Sequence, residues 1–334
     1  CARNCKSKGC STCRANAFGA LMQIDPFGVT LWLDVRCGGG GVAFREPLVL
    51  ATVVSRRGTG EETPFEACRA FCRRMCPNPV LPANPVFGMN NWYTCYGEMS
   101  RESVLLETEY LKEMTIKAQG VPYMVLDDGW QAIRFRDGAS NFNGGPWKSG
   151  HDRMGSMAEL GRDIANMGAL PGIWFRPLLT AESLPGELFL KTPPSPKQAA
   201  ARRLDPSHPE ALAIIRQDVS RLAEWGYRLI KHDFSTIDLT GGAVPEEGWH
   251  FYDTGRTTAQ IMRELYRTIQ EAAQGALVIG CNTYNHLTAG VHPIQRVGDD
   301  TSGRSWEWSR RNGVNAMMRL PQNGAFFLND PDCA

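Results

Sequence analysis

The chain lacks any apolar run of the roughly 18 to 20 residues that a membrane-spanning helix requires. It also lacks a surplus of either charge: 36 Lys and Arg stand against 35 Asp and Glu, a formal net charge of +1. Neither a membrane nor a nucleic acid is therefore expected as a partner. No G-x-G-x-x-G follows the first strand of the alternating region, and "CGGGG" (residues 37–41) does not open a helix, so it reads as a loop. The six histidines, His151, His208, His232, His250, His286 and His292, show neither H-x-H nor H-E-x-x-H spacing, which removes the usual ligand sets of a metallohydrolase barrel. The sequence opens on Cys1 with neither Met nor a signal-peptide pattern, and the expectation is that the true N-terminus is absent. Nothing sets location or oligomeric state.

What is present is enough apolar residue, 43% of 334, to bury a large core, and a soluble globular enzyme is the default reading. The eleven cysteines fall into three groups. Cys1, Cys5, Cys10 and Cys13 are spaced C-x3-C-x4-C-x2-C, too close for the separated pairs of most zinc modules, so a flexible end is expected rather than a metal site. Cys68, Cys72 and Cys76 recur every fourth residue and share one helical face, as small buried hydrophobes would. Cys37, Cys95, Cys281 and Cys333 show no pairing pattern, and an odd total argues against a full disulfide framework.

Organisation changes near Pro85. Before it, "VTLWLDV" and "PLVLATVV" read as strands flanking the "CGGGG" turn, and they are followed by the cysteine-bearing helix and a Pro/Asn-rich linker. Residues 1–80 thus form a partial β region. After it, seven strand candidates alternate with amphipathic helices at 101–119, 156–167, 208–225, 256–273 and 304–316. The strands are "VFGMNNW", "PYMVLDDGW", "LPGIWFRP", "RLIKHDF", "ALVIGCN", "IQRVGDD" and "GAFFLND". Such alternation implies a parallel sheet.

Asn90 and Trp92, Asp127 and Asp128, Arg176, Lys231 and Asp233, Asn282, Arg296 and Asp299 all fall at the C-terminal ends of different strands. That distribution predicts an α/β chain with a (β/α)8 TIM barrel, truncated after about seven strands, over residues 85–334. Side chains alternate along a strand, so Lys231 and Asp233 share a direction at the mouth while His232 points away. A cation beside a carboxylate keeps it ionised and able to act as a nucleophile, and a structural ion pair is the competing reading. Asp330 and Asp332 fall at the mouth of the seventh strand, where substrate contact and loop structure are both open.

"VLDDGW" on the second strand, "IKHD" on the fourth and "RVGDDTS" on the sixth resemble the retaining α-galactosidase clan, glycoside hydrolase families 27 and 36, and more distantly family 31. The resemblance covers roughly residues 85 to 334. It implies cleavage of terminal α-linked galactose by double displacement, with carbohydrate as partner and no cofactor or metal. Asp233 matches the nucleophile and Lys231 the lysine that contacts sugar hydroxyls. Asp127 and Asp128 match the acidic pair that holds the O4 and O6 hydroxyls, Trp92 the stacking aromatic with Trp130 behind it, and Arg296 the arginine near the acid/base. The acid/base maps onto Asp299, with Asp300, four residues past Arg296, as the alternative.

The chain departs from the pattern on its third strand, "GIWFRPLL", which brings Trp174 and Arg176 into the substrate-binding set where many family 36 members carry Glu-Pro. Arg176 is expected to face an acidic or heavily hydroxylated leaving group, or to pair with Asp127 or Asp128. Asn282 stands where some family 27 enzymes have a hydroxyl-binding Glu. The competing functions are a carbohydrate-binding barrel that has lost catalysis and an α-glycosidase or transglycosidase of other sugar specificity.

Overall fold

The structure, a computed structural model, describes residues 6–11, 16–132, 143–191, 202–240 and 248–332. Its N-terminal part holds two antiparallel pairs. Strand β1 (Lys6–Ser11) pairs with β4 (Thr52–Arg57), and β2 (Gly19–Asp25) pairs with β3 (Gly28–Asp34). The strands expected on either side of "CGGGG" therefore exist but do not pair with each other. Each takes a partner the sequence reading missed, although the Asp25–Gly28 turn carried a hairpin signal: Asp25 Oδ1 accepts the backbone N–H groups of Phe27 and Gly28 at 2.9 and 3.1 Å.

The cysteine-bearing helix is α1 (Pro64–Met75). Thr63 caps it, Pro64 fits the first turn, and Glu66 closes the capping box. Cys72 and Cys76 are buried as expected, but Cys68 is exposed, because the face the three share turns partly outward at its N-terminal end. Among the described residues, Cys37, Cys68, Cys72, Cys95 and Cys281 are free thiols. Cys1, Cys5, Cys13 and Cys333 lie outside the described residues.

The remaining elements follow in β/α order: β5 (Gly88–Asn90), α2 (Trp92–Cys95), α3 (Arg101–Met114), β6 (Tyr123–Leu126), α4 (Met157–Asn166) and β7 (Leu170–Phe175). A small antiparallel pair, β8 (Leu179–Thr180) with β9 (Arg202–Arg203), precedes α5 (Pro209–Glu224) and β10 (Leu229–His232). Then come α6 (Ser235–Thr240), α7 (Thr258–Ala272), β11 (Leu277–Gly280), α8 (Asn285–Thr288), β12 (Ile294–Arg296), α9 (Trp306–Met318) and β13 (Leu328–Asp330). Seven of these strands form one parallel sheet in the order β13-β12-β11-β10-β7-β6-β5. This is a partial (β/α)8 barrel, and each of its strands lies inside a segment read as a strand from the sequence.

The sheet curls. Strands β5 and β13 are its two edges, yet Tyr93 just past β5 donates its hydroxyl hydrogen to Asp332 Oδ2 just past β13 at 2.7 Å. Two motif glycines serve close packing. Gly129 of "DDGW" has φ +113°, and a Cβ there would lie 2.4 Å from Gly97 O. A Cβ on Gly298 of "RVGDD" would lie 1.6 Å from Asn312 Oδ1 on α9, so only glycine lets the helix approach the strand end. Among the described residues no helix is long and apolar enough to cross a membrane.

His232 does point away from Lys231 and Asp233. It lies between the sheet and α7, its ring 5.4 Å from that of Tyr266 and 5.6 Å from that of His292. Both imidazoles are completely buried, and among the described residues no hydrogen-bond partner meets their ring nitrogens. Burial depresses His292 to about 3, and burial reinforced by the neighbouring His292 holds His232 well below its ordinary value. The sign follows directly. The unfolded chain takes up these protons near pH 6.5 and the folded chain does not, so the stability is complete above about pH 6.5 and lost as the pH falls below it. Each ring costs up to about 1.4 kcal/mol per pH unit. The melting temperature should therefore drop steeply between about pH 7 and pH 5, and His292→Phe should flatten the drop. An unchanged slope in a folded variant would contradict this.

Candidate active site

At the C-terminal ends of β6, β7 and β10 a compact polar cluster forms. Lys231 Nζ lies 2.6 Å from Asp127 Oδ2, with side-chain exposures of 10% and 4%. The same oxygen accepts a hydrogen bond from Asn90 Nδ2 at 2.6 Å, and the Asp127 backbone N–H donates to Asn91 Oδ1 at 2.8 Å. The consecutive "NN" of residues 90–91 thus grips Asp127 from both ends. Burial is the largest influence on Lys231 and works against its charge, but Asp127, Cys281 and Asp233 together outweigh it and lift the ammonium above its ordinary range. The lysine expected to accompany Asp233 is bonded instead to Asp127, and it acts on Asp233 only through its field.

Asp233 is 5% exposed and is held by three N–H donors. Asn282 Nδ2 and the Phe234 backbone N–H both reach Oδ1 at 2.7 Å, and Trp174 Nε1 reaches Oδ2 at 2.9 Å. The two flanking residues accept left-handed backbone to do this: Phe234 has φ +65° and Asn282 φ +46°, tolerated readily by Asn and at a cost of order 1 kcal/mol or more by a bulky residue. With both oxygens fixed, the plane of the carboxylate is set.

Asp128 is half-buried beside Asp127. Its backbone N–H donates to Asp127 Oδ1 at 2.8 Å and its own Oδ1 accepts from Gln131 Nε2 at 2.8 Å. Trp92 opens α2 as a half-buried ring 5.5 Å from that of Tyr96.

Three expectations need correction. Trp174 is 1% exposed, with its indole N–H bonded to Asp233, so it supports the carboxylate from beneath and offers no open face to a sugar. Trp130 is completely buried, its Nε1 donating to Trp174 O at 2.9 Å, and belongs to the core with Trp147 and Trp225. Arg176 pairs with neither Asp127 nor Asp128. Its Nε and Nη2 bind both oxygens of Asp238 on α6 at 3.0 and 2.6 Å, its Nη1 meets Asn143, and its guanidinium lies 4.5 Å from the Phe234 ring. Arg203 shares Asp238 at 3.3 Å. Asp238 carried no sequence signal, since its role depends on where α6 packs.

On β12, Arg296 meets three carboxylates: Asp300 through Nη1 at 2.8 Å, Asp330 through Nε at 3.2 Å and Asp332 through Nη2 at 2.8 Å. Burial raises Asp300 from its ordinary value, and Arg296 beside it opposes that shift. Asp299 is exposed, and its Oδ1 accepts the backbone N–H of Asp300 at 2.9 Å. Among the described residues no group of three or more His, Cys, Asp or Glu is placed to hold a metal ion. The arrangement offers one rigidly held carboxylate, one neutralised carboxylate–ammonium pair, and a second, more solvated carboxylate at the rim.

No family model matches the chain. Solved structures do resemble it in fold. An α-galactosidase from Thermus thermophilus, solved with p-nitrophenyl α-D-galactopyranoside, matches with TM-score 0.60 at 20% identity, over 94% of this chain and 65% of that one. A family 36 α-galactosidase from Geobacillus stearothermophilus matches with TM-score 0.56 at 16% identity, over 83% of this chain and 40% of that one. A family 27 β-L-arabinopyranosidase from the same organism, solved with arabinose, also matches with TM-score 0.56 at 16% identity, over 74% of this chain and 61% of that one. The chain thus spans less than two thirds of the length of each of these neighbours.

Proposed function

We propose that the chain is the catalytic barrel of a retaining glycoside hydrolase that removes terminal α-linked galactose, with Asp233 as nucleophile. The observation that carries this reading is the grip on Asp233: three N–H donors orient its carboxylate at a barrel mouth that also presents the Lys231–Asp127 pair. The fold likeness to an enzyme solved with an aryl α-galactoside supports it. In this scheme Asp233 attacks the anomeric carbon while a second carboxyl protonates the departing oxygen. The same group, now a base, then activates the water that releases the sugar. Carboxylates at a spacing of about 5 Å suffice for this chemistry, and no metal or organic cofactor enters it.

For the second carboxyl, two observations favour Asp300 over the Asp299 of the sequence reading. Asp300 is bonded to Arg296 and lies within the field of Lys231, whereas the Oδ1 of Asp299 is occupied by a local backbone N–H. Asp127 and Asp128 are the acceptors for the axial O4 and for O6, with Lys231 and Trp92 completing the sugar site, Asn282 and Trp174 behind the nucleophile and Arg296 behind the acid.

The test compares aryl α-galactoside, α-glucoside and β-L-arabinopyranoside as substrates. The galactoside should be hydrolysed much faster than the glucoside, whose equatorial O4 misses the carboxylates, and Asp128→Ala should cost on the order of 2 to 4 kcal/mol of transition-state stabilisation. Equal rates on galactoside and glucoside would end the galactose assignment. Preference for the arabinoside, a galactose-like ring without the C6 hydroxymethyl, would transfer the site to that sugar. Binding without turnover would mean a carbohydrate-binding barrel.

A further inference from the structure

One guanidinium stands among three carboxylates on β12 and β13, and their other partners are unequal. Asp332 is the most heavily bonded of the three. Its side chain is 8% exposed, Oδ1 meets Arg296, and Oδ2 accepts from the Tyr93 hydroxyl at 2.7 Å, the Thr301 backbone N–H at 2.6 Å and the Thr301 hydroxyl at 3.2 Å. Asp330 binds Arg296 and, through Oδ1, accepts the backbone N–H of Asp332 at 2.9 Å. Asp300 has a 59% exposed side chain and a single bond to Arg296 Nη1. Three carboxylates thus face one guanidinium, and among the described residues Asp300 has the fewest donors of the three.

The geometry of Asp332 reaches further than charge. It lies beyond one edge of the sheet, binds Tyr93 beyond the other, and binds Thr301 in the loop that carries Asp300. It does so with φ +66°, a left-handed conformation that Asp tolerates better than most residues. We infer that Asp332, anchored by Tyr93, is a positioning residue for the acid/base: it holds Arg296 and the 298–301 loop in place, and so fixes where the Asp300 carboxyl stands and which charges face it. This rests on the function proposed above.

The charged and titratable groups around Asp300 are few. Arg296 on β12 and Lys231 on β10 favour its ionised form, and Asp332 opposes it; Tyr93 on α2 and Cys281 past β11 also lie within its field. Removing the charge of Asp332 should therefore make Asp300 easier to ionise. In Asp332→Asn the alkaline limb of kcat/KM should move down by about one pH unit. Hydrolysis of phenyl α-galactoside, a poor leaving group, should fall by about 10-fold or more, and dinitrophenyl α-galactoside, which leaves without a proton, should lose far less.

Tyr93→Phe removes the anchor but not the charge. It should keep the alkaline limb and show the same dependence on leaving group in weaker form, and it decides the matter if Asp332→Asn does not fold. Equal losses on both substrates with an unmoved limb would reduce Asp332 to a structural role. An inactive parent enzyme would instead refute the function itself, so the two failures are distinct.

Discussion

Replacing Asp233 by Gly is expected to lower turnover by more than about 10⁴-fold toward every leaving group, because no covalent glycosyl-enzyme can form without that carboxylate. The loss should be chemical rather than structural. Asp233 lies at the strand end, and the donors it leaves, Asn282, Trp174 and the Phe234 N–H, surround a space large enough for a small anion. Azide entering that space should restore turnover and give the inverted β-galactosyl azide, formed in one displacement. If azide gives no rescue, or gives the α-azide, Asp233 is not the nucleophile.

The second large effect separates Asp300 from Asp299. Asp300→Ala should slow substrates with poor leaving groups by roughly 10² to 10⁴-fold. It should still release dinitrophenolate in a rapid burst and then stall, since the water of the second step has lost its base. Azide, which needs no base, should relieve the stall and yield the α-galactosyl azide. Asp299→Ala should show little of this, because its Oδ1 serves a local turn through the Asp300 backbone N–H. If Asp299→Ala shows the leaving-group dependence and Asp300→Ala does not, the assignment belongs one residue earlier, where the sequence motif alone first put it.

The barrel strands were legible because each couples a β-rich run to a following amphipathic helix, and that alternation has no common alternative to a parallel sheet. The direction of side chains was legible too. Lys231 and Asp233 were separated from His232 by pleat alone, and the structure agrees. Partner choice was not. Whether Lys231 bonds Asp233 or Asp127 depends on the register from β10 through β7 to β6 and on the curl of the sheet. Arg176 finds Asp238 because α6 folds back over the end of β7, a contact 62 residues away in sequence. Trp174 shows the limit of reading residue type: an aromatic at a strand end suggests a sugar platform, but its register partner is Lys231 and its indole N–H reaches Asp233. The β1–β4 pairing was hidden for a related reason, since its two strands lie about forty residues apart in sequence, whereas the β2–β3 hairpin was local and its turn signal could have been read.

The proposed mechanism stands on a covalent galactosyl-enzyme at Asp233. The most direct measurement is to inactivate the enzyme with a fluorinated galactosyl donor, whose slow second step leaves the intermediate trapped, and to locate the added mass by peptide sequencing. One fluorinated galactosyl unit is expected on the peptide containing "IKHDF", attached at Asp233 and released on incubation with an acceptor sugar. No adduct on an active enzyme, or an adduct on any other carboxylate, would contradict it.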